Sequence, residues 1–204
     1  MPVDTEQLKA LRSSTGAGIL DCKRALEESD GDLKKAIGLL RERGLAEAAR
    51  KAGRQTVEGL VHCYLHHDGR LGVMVELSCE TDFVARTEEF RELADEICMH
   101  IAMCAPQYLT PQQVPESVTE EERRIYRVRA QQEGKPEKVI DKIVEGRLRK
   151  FFSEVCLLQQ PWVKDDKVTI EQLVKRTIAK VGENIQVRRF VRFRIGEDAQ
   201  AANA

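Results

Sequence analysis

The spacing of hydrophobic residues changes along this chain from a helical period to a strand-like period and back. In residues 71–78 apolar side chains alternate with small or polar ones, which is typical of a strand with one covered face. Residues 60–66 form a second such run, separated from the first by His67-Asp68-Gly69, and an Asp-Gly step favours a hairpin turn. A third alternating run, residues 185–195, can pair with this hairpin. We therefore predict an α+β fold in which a three-stranded antiparallel sheet packs with helices.

The faces of the last strand follow from its residue types. Five apolar residues are expected to point toward the helices: Ile185, Val187, Val191, Phe193 and Ile195. The positions between them carry Gln186, Arg188, Phe190, Arg192 and Arg194. We expect the arginines to lie on a solvated face of the strand rather than to form a nucleic-acid site.

Three short helices are predicted before the first strand. Asp4 is placed to cap the first helix, and Gly16 and Gly18 interrupt the chain before the second. Asp32 is placed to cap the third, which is predicted to stop at Gly44 and to lead into a helical linker. A module of this size either binds a partner or is a folded appendage, and its residues alone leave both open.

Four more helices are predicted in the rest of the chain. They are expected over residues 87–101, 119–134, 136–155 and 169–182. The domain organisation that follows is a three-helix domain over residues 1–54, an α+β core over 55–198 and a disordered tail over 199–204.

The charge balance constrains the partners. The chain has 33 Lys and Arg against 34 Asp and Glu, so no net field favours nucleic acid or an anionic membrane. No apolar run approaches the roughly 20 residues of a membrane helix. The N-terminal residues resemble neither a signal peptide nor a transit sequence. We expect a cytoplasmic protein that binds neither nucleic acid directly nor a membrane.

Recognised catalytic and metal-binding patterns are missing. The 6 cysteines include no C-x-x-C pair, which favours reduced, partly buried thiols over disulfides or structural zinc. His62 and Cys63 are neighbours in a predicted strand and point to opposite faces, so a shared metal site there is disfavoured. No phosphate-binding loop, nucleophile elbow or H-E-x-x-H motif occurs. We expect no cofactor and no metal, and a binding or regulatory protein rather than an enzyme.

Four segments carry a resemblance to one family. LRSSTGAGILDCKRAL (residues 11–26), ELSCETDFVAR (76–86), GKPEKVIDKIVEGRLRKF (134–151) and KVGENIQVRR (180–189) resemble, in order, signature blocks of bacterial elongation factor Ts. The resemblance implies a guanine-nucleotide exchange factor for elongation factor Tu, with an N-terminal domain like ubiquitin-associated domains. Longer members carry two related core subdomains and a coiled-coil hairpin. This sequence shows one strand hairpin, resembles a short form without that insertion, and is expected to form a homodimer that supplies the second copy.

The resemblance also implies which residues contact elongation factor Tu in its GDP-bound and nucleotide-free states. The loop that disturbs the partner's Mg²⁺ site corresponds to Thr81, Asp82, Phe83 and Val84, with Phe83 as an apolar wedge. Contacts of the N-terminal domain correspond to Ile19, Leu20 and Lys23. Secondary contacts correspond to Val181, Gly182 and His67.

Two other interpretations compete with the exchange factor. Phe83 could instead fold back onto the start of its own helix. The whole chain could be an adaptor that binds another partner through its three-helix domain without exchange activity, whereas a metal enzyme would require stoichiometric zinc. Release of labelled GDP from elongation factor Tu, with and without this chain, separates these classes.

Overall fold

The computed structural model describes residues 4–197. Eight α-helices lie in this range: α1 (Thr5–Thr15), α2 (Ile19–Glu28), α3 (Leu33–Lys51), α4 (Asp82–Ala85), α5 (Glu88–Cys104), α6 (Glu116–Gln132), α7 (Glu137–Val155) and α8 (Ile170–Val181). The strands are β1 (Glu58–Leu65), β2 (Leu71–Cys79), β3 (Pro161–Trp162), β4 (Asp165–Thr169) and β5 (Ile185–Arg194). The predicted α+β class is confirmed.

Proximity of Cα atoms divides the described chain into two units. The first contains the described residues through 62, together with 76–95 and 172–188. The second contains 63–75, 96–171 and the described residues from 189 onward. The domain boundary that the sequence suggests between residues 54 and 55 stays a prediction, and the tail over 199–204 lies outside the described residues.

The three N-terminal helices form a small core of their own in the first unit. Asp4 caps α1 by accepting the Glu6 N–H at 3.1 Å, and Asp32 caps α3 by accepting the Lys35 N–H at 3.1 Å. Both predicted caps are thereby confirmed. The buried side chains of this core are Leu11, Cys22, Ala25, Leu26 and Ala36.

Helix α3 is longer than its glycine suggested. It passes through Gly44 and ends at Lys51, so the predicted stop at Gly44 is wrong. A Cβ placed on Gly44 would lie 3.1 Å from the Cβ of Ala179 in α8. The glycine therefore permits a close approach of two helices, which tertiary packing favours over the local tendency of glycine to end a helix.

The main sheet has the strand order β1-β2-β5 and is antiparallel, as predicted. Val73, Val75 and Leu77 of β2 are buried, as their alternation indicated. The apolar face of α5 is buried too, at Phe90, Leu93, Ile97 and Ile101. In the first unit His62 of β1 and Asp95 of α5 are joined at 2.6 Å, Nε2 to Oδ1.

The alternation along β5 changes phase part of the way along the strand. Arg188 and Arg189 are both exposed, and beyond them Arg192 turns inward and donates to the carbonyl of Ala102 in α5 at 3.5 Å. Its side chain is 10% exposed, whereas Phe193 is 68% exposed and Ile195 62% exposed. The predicted solvated position of Arg192 and inward positions of Phe193 and Ile195 are wrong, because a slip of one residue exchanges the two faces of a strand.

Helices α6 and α7 pair as an antiparallel hairpin in the second unit. Ala130, Ile140, Val144 and Leu148 are buried between them. Charged pairs join the two helices along the sides, with Arg127 2.5 Å from Asp141 as one example. Helix α6 starts at Glu116, directly after Pro115, so the predicted start at residue 119 is wrong.

A two-stranded sheet of β3 and β4 lies before α8, in a stretch for which neither a helix nor a strand was predicted. Close to it His100 is completely buried, with Nε2 2.8 Å from Gln160 Oε1. The Val163 N–H donates to His100 Nδ1 at 3.3 Å, and Cys104 Sγ lies 3.8 Å from the same nitrogen. His100 is therefore neutral, with its proton on Nε2. Burial lowers its pKa, and the bond to Gln160 opposes this effect.

This histidine makes the stability of the fold depend on pH. Its pKa is lowered from 6.5 in the folded chain, so the unfolded chain binds the proton more readily. The stabilisation is complete above about pH 6.5 and is lost as the pH falls toward the folded pKa, by at most about 1.4 kcal/mol per pH unit. Urea unfolding at about pH 7.5 and about pH 5.5 measures the loss. His100→Gln should reduce the difference in unfolding free energy between the two pH values, whereas His67→Asn, a change at an exposed histidine, should not. An equal difference in both variants would contradict the assignment.

Candidate functional site

The connection between β2 and α5 projects one aromatic side chain into solvent. Helix α4 is a single turn in which Val84 and Ala85 are buried, whereas Phe83 is 78% exposed. Asp82 pairs with Arg86 at 2.8 Å, one turn further on. Phe83 does not fold back onto its own helix start, so that interpretation is wrong. Phe83 has the largest exposed fraction among the large hydrophobic side chains of residues 4–197, which makes it a candidate contact residue.

The projecting turn is held by a residue far away in sequence. Glu183 accepts two hydrogen bonds from Thr81: the backbone N–H at 2.9 Å to Oε2 and the hydroxyl at 2.7 Å to Oε1. Thr81 is the N-cap residue of α4, but its own side chain makes no capping bond to that helix. The Glu183 carboxylate therefore takes up both donors of the residue that precedes Phe83 by two positions.

Glu80 and Asn184, the residues next to Thr81 and Glu183, form a second pair in the opposite direction, with the acceptor carboxylate on the segment that precedes α4. Glu80 accepts the backbone N–H of Asn184 at 2.7 Å and lies 3.4 Å from the guanidinium of Arg54. The Asn184 side-chain amide donates to the carbonyls of Arg54 at 2.9 Å and Ala52 at 3.4 Å. Asn184 is buried. Three segments that are distant in sequence are thus joined at one place, and we call residues 182–184 the GEN turn.

A buried thiol lies against the base of the loop. Cys79 donates from Sγ to the carbonyl of Thr81 at 3.1 Å. Burial, together with the negative charge of Glu183, raises the pKa of Cys79 to about 11. The group is a neutral thiol at physiological pH and is not available as a nucleophile. It contributes a weak hydrogen bond to the loop and no chemistry.

Residues 15–18, which we call the TGAG segment, lie beside the end of α8. Gly16 ends α1 in the left-handed conformation with φ 66°, and a Cβ there would lie 2.8 Å from Cε of Lys180. Helix α2 starts three residues later and exposes Ile19 by 52% and Leu20 by 68%. Lys23 pairs with Glu27 at 3.9 Å on the solvent side of the same helix.

The residues proposed from sequence fall into two groups. The first group belongs to the first unit and contains those in residues 19–23, 81–84 and 181–182. In this unit α8 ends between the TGAG segment and the loop of residues 81–84. Val181 is half-buried, and Gly182 is exposed with φ 81°. His67 belongs to the second unit, at the exposed tip of the hairpin, with its ring centroid 4.2 Å from that of His66. The structure does not bring His67 together with the other residues within one unit.

Sequence reasoning missed the residues that hold the loop. Glu80, Glu183 and Asn184 stood inside quoted motifs, yet none was singled out. The available signal was a glutamate next to a residue with a polar side chain in each motif, Glu80-Thr81 in one and Glu183-Asn184 in the other. Nothing in a single sequence indicates that two such segments pair.

Residues 4–197 contain no group of three or more His, Cys, Asp or Glu side chains arranged to hold a metal ion. Within the same range, none of the helices combines the length and the apolar character that crossing a membrane requires.

Known proteins resemble the chain over nearly its whole length. Residues 27–197 match the Elongation factor TS family. The chain is 55% identical over 195 residues to elongation factor Ts of Carboxydothermus hydrogenoformans, covering 96% of this chain and 90% of that one. It is 53% identical over 197 residues to elongation factor Ts of Fervidobacterium nodosum, covering 97% of this chain and 100% of that one. The fold and these matches define a translation elongation factor. The chain belongs to the elongation factor Ts family.

The thiol environments predict a reactivity order. Cys63 is exposed, whereas Cys79 and Cys156 are buried with pKa values raised to about 11. At dilutions at which single copies of the native chain are present, a disulfide reagent that releases a coloured thiolate should modify Cys63 quickly and leave Cys79 and Cys156 unmodified. Peptide mass spectrometry after partial modification identifies the sites, and full reaction in denaturant is the control. Rapid labelling of Cys79 in the folded chain would contradict the described loop.

Proposed function

We propose that this chain is a guanine-nucleotide exchange factor that binds GDP-bound elongation factor Tu and promotes release of GDP, so that GTP can bind. The observation that carries the proposal is Phe83, 78% exposed on a turn that is held at both ends. Family membership supplies the partner and the process. The protein catalyses no covalent step in this scheme, and it uses no cofactor of its own.

The exchange follows from differential binding. The Mg²⁺ ion and the nucleotide phosphates of a GTPase require near-ideal octahedral geometry. A factor that binds best to a partner conformation in which this geometry is disturbed weakens GDP binding by the same factor by which GDP weakens its own binding. We infer that Phe83, with Asp82 beside it, enters between partner helices near the metal. Burial of a Phe side chain contributes about 1.5–3 kcal/mol, which is roughly ten- to a hundredfold in affinity.

Helix α2 offers a second contact region for the same partner. We infer that Ile19, Leu20 and Lys23 contact the nucleotide domain of elongation factor Tu. Two exposed apolar side chains beside one ammonium group suit an amphipathic protein surface. Val181 and Gly182 lie on the segment between this region and the loop, so one partner surface can contact all three. His67 would serve only as a further contact, because it belongs to the other unit.

We also propose a homodimer. Leu65 of β1 is 72% exposed, and a Cβ on Gly72 of β2 would lie 3.8 Å from it, so the two face the same side. Met74, two residues along β2 on that side, is 46% exposed. Phe193 points to the face opposite to the inward Arg192 and is 68% exposed. This apolar sheet face favours a second copy of the chain as its occupant, which would supply the second core subdomain that longer members carry.

The cellular setting follows from the process. A factor that serves translation elongation acts in the cytoplasm, and we place this chain there. Its near-balanced charge supports recognition of a protein rather than of nucleic acid or a membrane.

Removal of the Phe83 ring tests the exchange mechanism. Phe83→Ala should keep the fold, because the ring is largely exposed, and should lower the catalysed rate of GDP release about ten- to a hundredfold. Stopped-flow release of fluorescent GDP from elongation factor Tu measures the rate. Met103→Ala, which truncates an exposed apolar side chain of the second unit, is the matched control and should exchange like the unsubstituted chain.

Each outcome of this experiment has a distinct meaning. Unchanged exchange in folded Phe83→Ala contradicts the wedge. Tight binding of the unsubstituted chain to elongation factor Tu with no acceleration of GDP release contradicts the exchange function and favours the adaptor interpretation.

A charge on the sheet face tests the dimer. Phe193→Glu should raise the dissociation constant of the homodimer roughly a hundredfold, because a carboxylate would be buried without a partner. Sedimentation equilibrium under reducing conditions measures the constant without crosslinking through Cys63. Val139→Glu, an exposed position on α7, should leave it unchanged. A stable monomer of the unsubstituted chain at micromolar concentration contradicts the dimer.

A further inference from the structure

We propose that Glu183 is a positioning residue for nucleotide exchange: its carboxylate holds Thr81 and thereby keeps Phe83 in the projecting orientation that the partner meets. The proposal rests on the proposed exchange function and deepens it. Glu183 itself need not contact the partner in this scheme, since its two oxygens already accept both donors of Thr81.

Helix α4 cannot hold this orientation unaided. It has four residues, and its N-cap side chain makes no capping bond. Isolated helices of this length are unstable in water, because nucleation fixes several residues for very few hydrogen bonds. Val84 and Ala85 anchor the inner side of the turn, and Thr87 closes its far end by donating from its hydroxyl to the Val84 carbonyl at 2.8 Å. The start of the turn, at Thr81, is held by the two hydrogen bonds to Glu183.

Glu183 is in turn held in place by the neighbouring bond between Asn184 and Glu80. The Asn184 N–H donates to Glu80 at 2.7 Å, and the Asn184 side chain donates to the Arg54 carbonyl at 2.9 Å. The paired segments therefore hold each other through bonds in both directions, from residue 81 to residue 183 and from residue 184 to residue 80. In this register the carboxylate at position 183 accepts both Thr81 donors.

The functional consequence is preorganisation. A loop already fixed in its bound conformation does not lose conformational freedom on association, whereas a mobile loop must be ordered first. Loss of the Glu183 bonds should therefore weaken the action of Phe83 and leave the contacts of α2 unaffected.

The first test compares two substitutions at this position. Glu183→Ala removes both bonds and should lower kcat/KM for GDP release roughly three- to tenfold. Glu183→Gln should stay within about twofold, because its amide oxygen can accept the Thr81 N–H while its amide nitrogen donates to the hydroxyl, which can also accept. Glu121→Ala, which removes an exposed carboxylate that pairs with Arg124, is the matched control. Equal loss in the Ala and Gln variants would assign the effect to charge and overturn the positioning role.

The second test is a double-mutant cycle with Phe83→Ala. If Glu183 acts through the ring, Glu183→Ala should change the rate less than about twofold once the ring is gone. A general loss of structure would lower the rate by the same factor in both backgrounds, and that result would overturn the proposal. Hydrogen exchange of the amides in residues 81–86 should also be faster in Glu183→Ala, and unchanged protection would contradict the mechanism.

The outcomes separate this inference from the proposed function. Failure of the unsubstituted chain to release GDP, or full activity of Phe83→Ala, defeats the exchange mechanism itself. Normal acceleration and a large Phe83→Ala effect, with no effect of Glu183→Ala, defeat only the positioning role. If Glu183→Ala does not fold, Thr81→Val removes the hydroxyl bond alone and should lower the rate about two- to fourfold; an unchanged rate in that variant overturns the proposal.

Discussion

The carboxylate of Glu183 and the two donors of Thr81 form the interaction on which the candidate site depends. A carboxylate that accepts a backbone N–H and a hydroxyl together fixes both the position and the direction of the residue that carries them. The one-turn helix that follows then has a defined start, and Phe83 has a defined direction. Without this interaction only the burial of Val84 and Ala85 and the Thr87 hydroxyl bond would hold the turn, and its start would have no anchor.

Around this interaction the first unit brings together motifs that are far apart in sequence. The TGAG segment approaches Lys180 at the end of α8, the GEN turn follows directly, and Glu183 and Asn184 of that turn hold residues 80 and 81. Residues 180–184, at the end of α8, thus lie between two exposed apolar groups, one on α2 and one on α4. A partner that contacts both groups meets a surface whose spacing is set by packing and hydrogen bonds rather than by a flexible linker.

Much of the fold was predictable because local patterns and tertiary packing agree. The caps at Asp4 and Asp32, the buried stripe of α5 and the three-stranded sheet all follow from spacing alone. The errors arose where packing opposes a local rule. Gly44 lies inside α3 because Ala179 comes close to it. Arg192 lies inward and Phe193 outward because the alternation of β5 shifts by one residue after its first half.

The sequence by itself determined the class of fold, the family and the identity of the exposed aromatic residue, since these depend on periodicity and on motifs that are contiguous in the chain. Only the tertiary structure decided what holds that residue in place. The Thr81–Glu183 and Glu80–Asn184 bonds join segments about a hundred positions apart, and each member is an ordinary polar residue in its own segment. Such pairings leave no periodic signal in one sequence, because hydrogen bonds between distant segments depend on the folded path of the chain and not on local spacing.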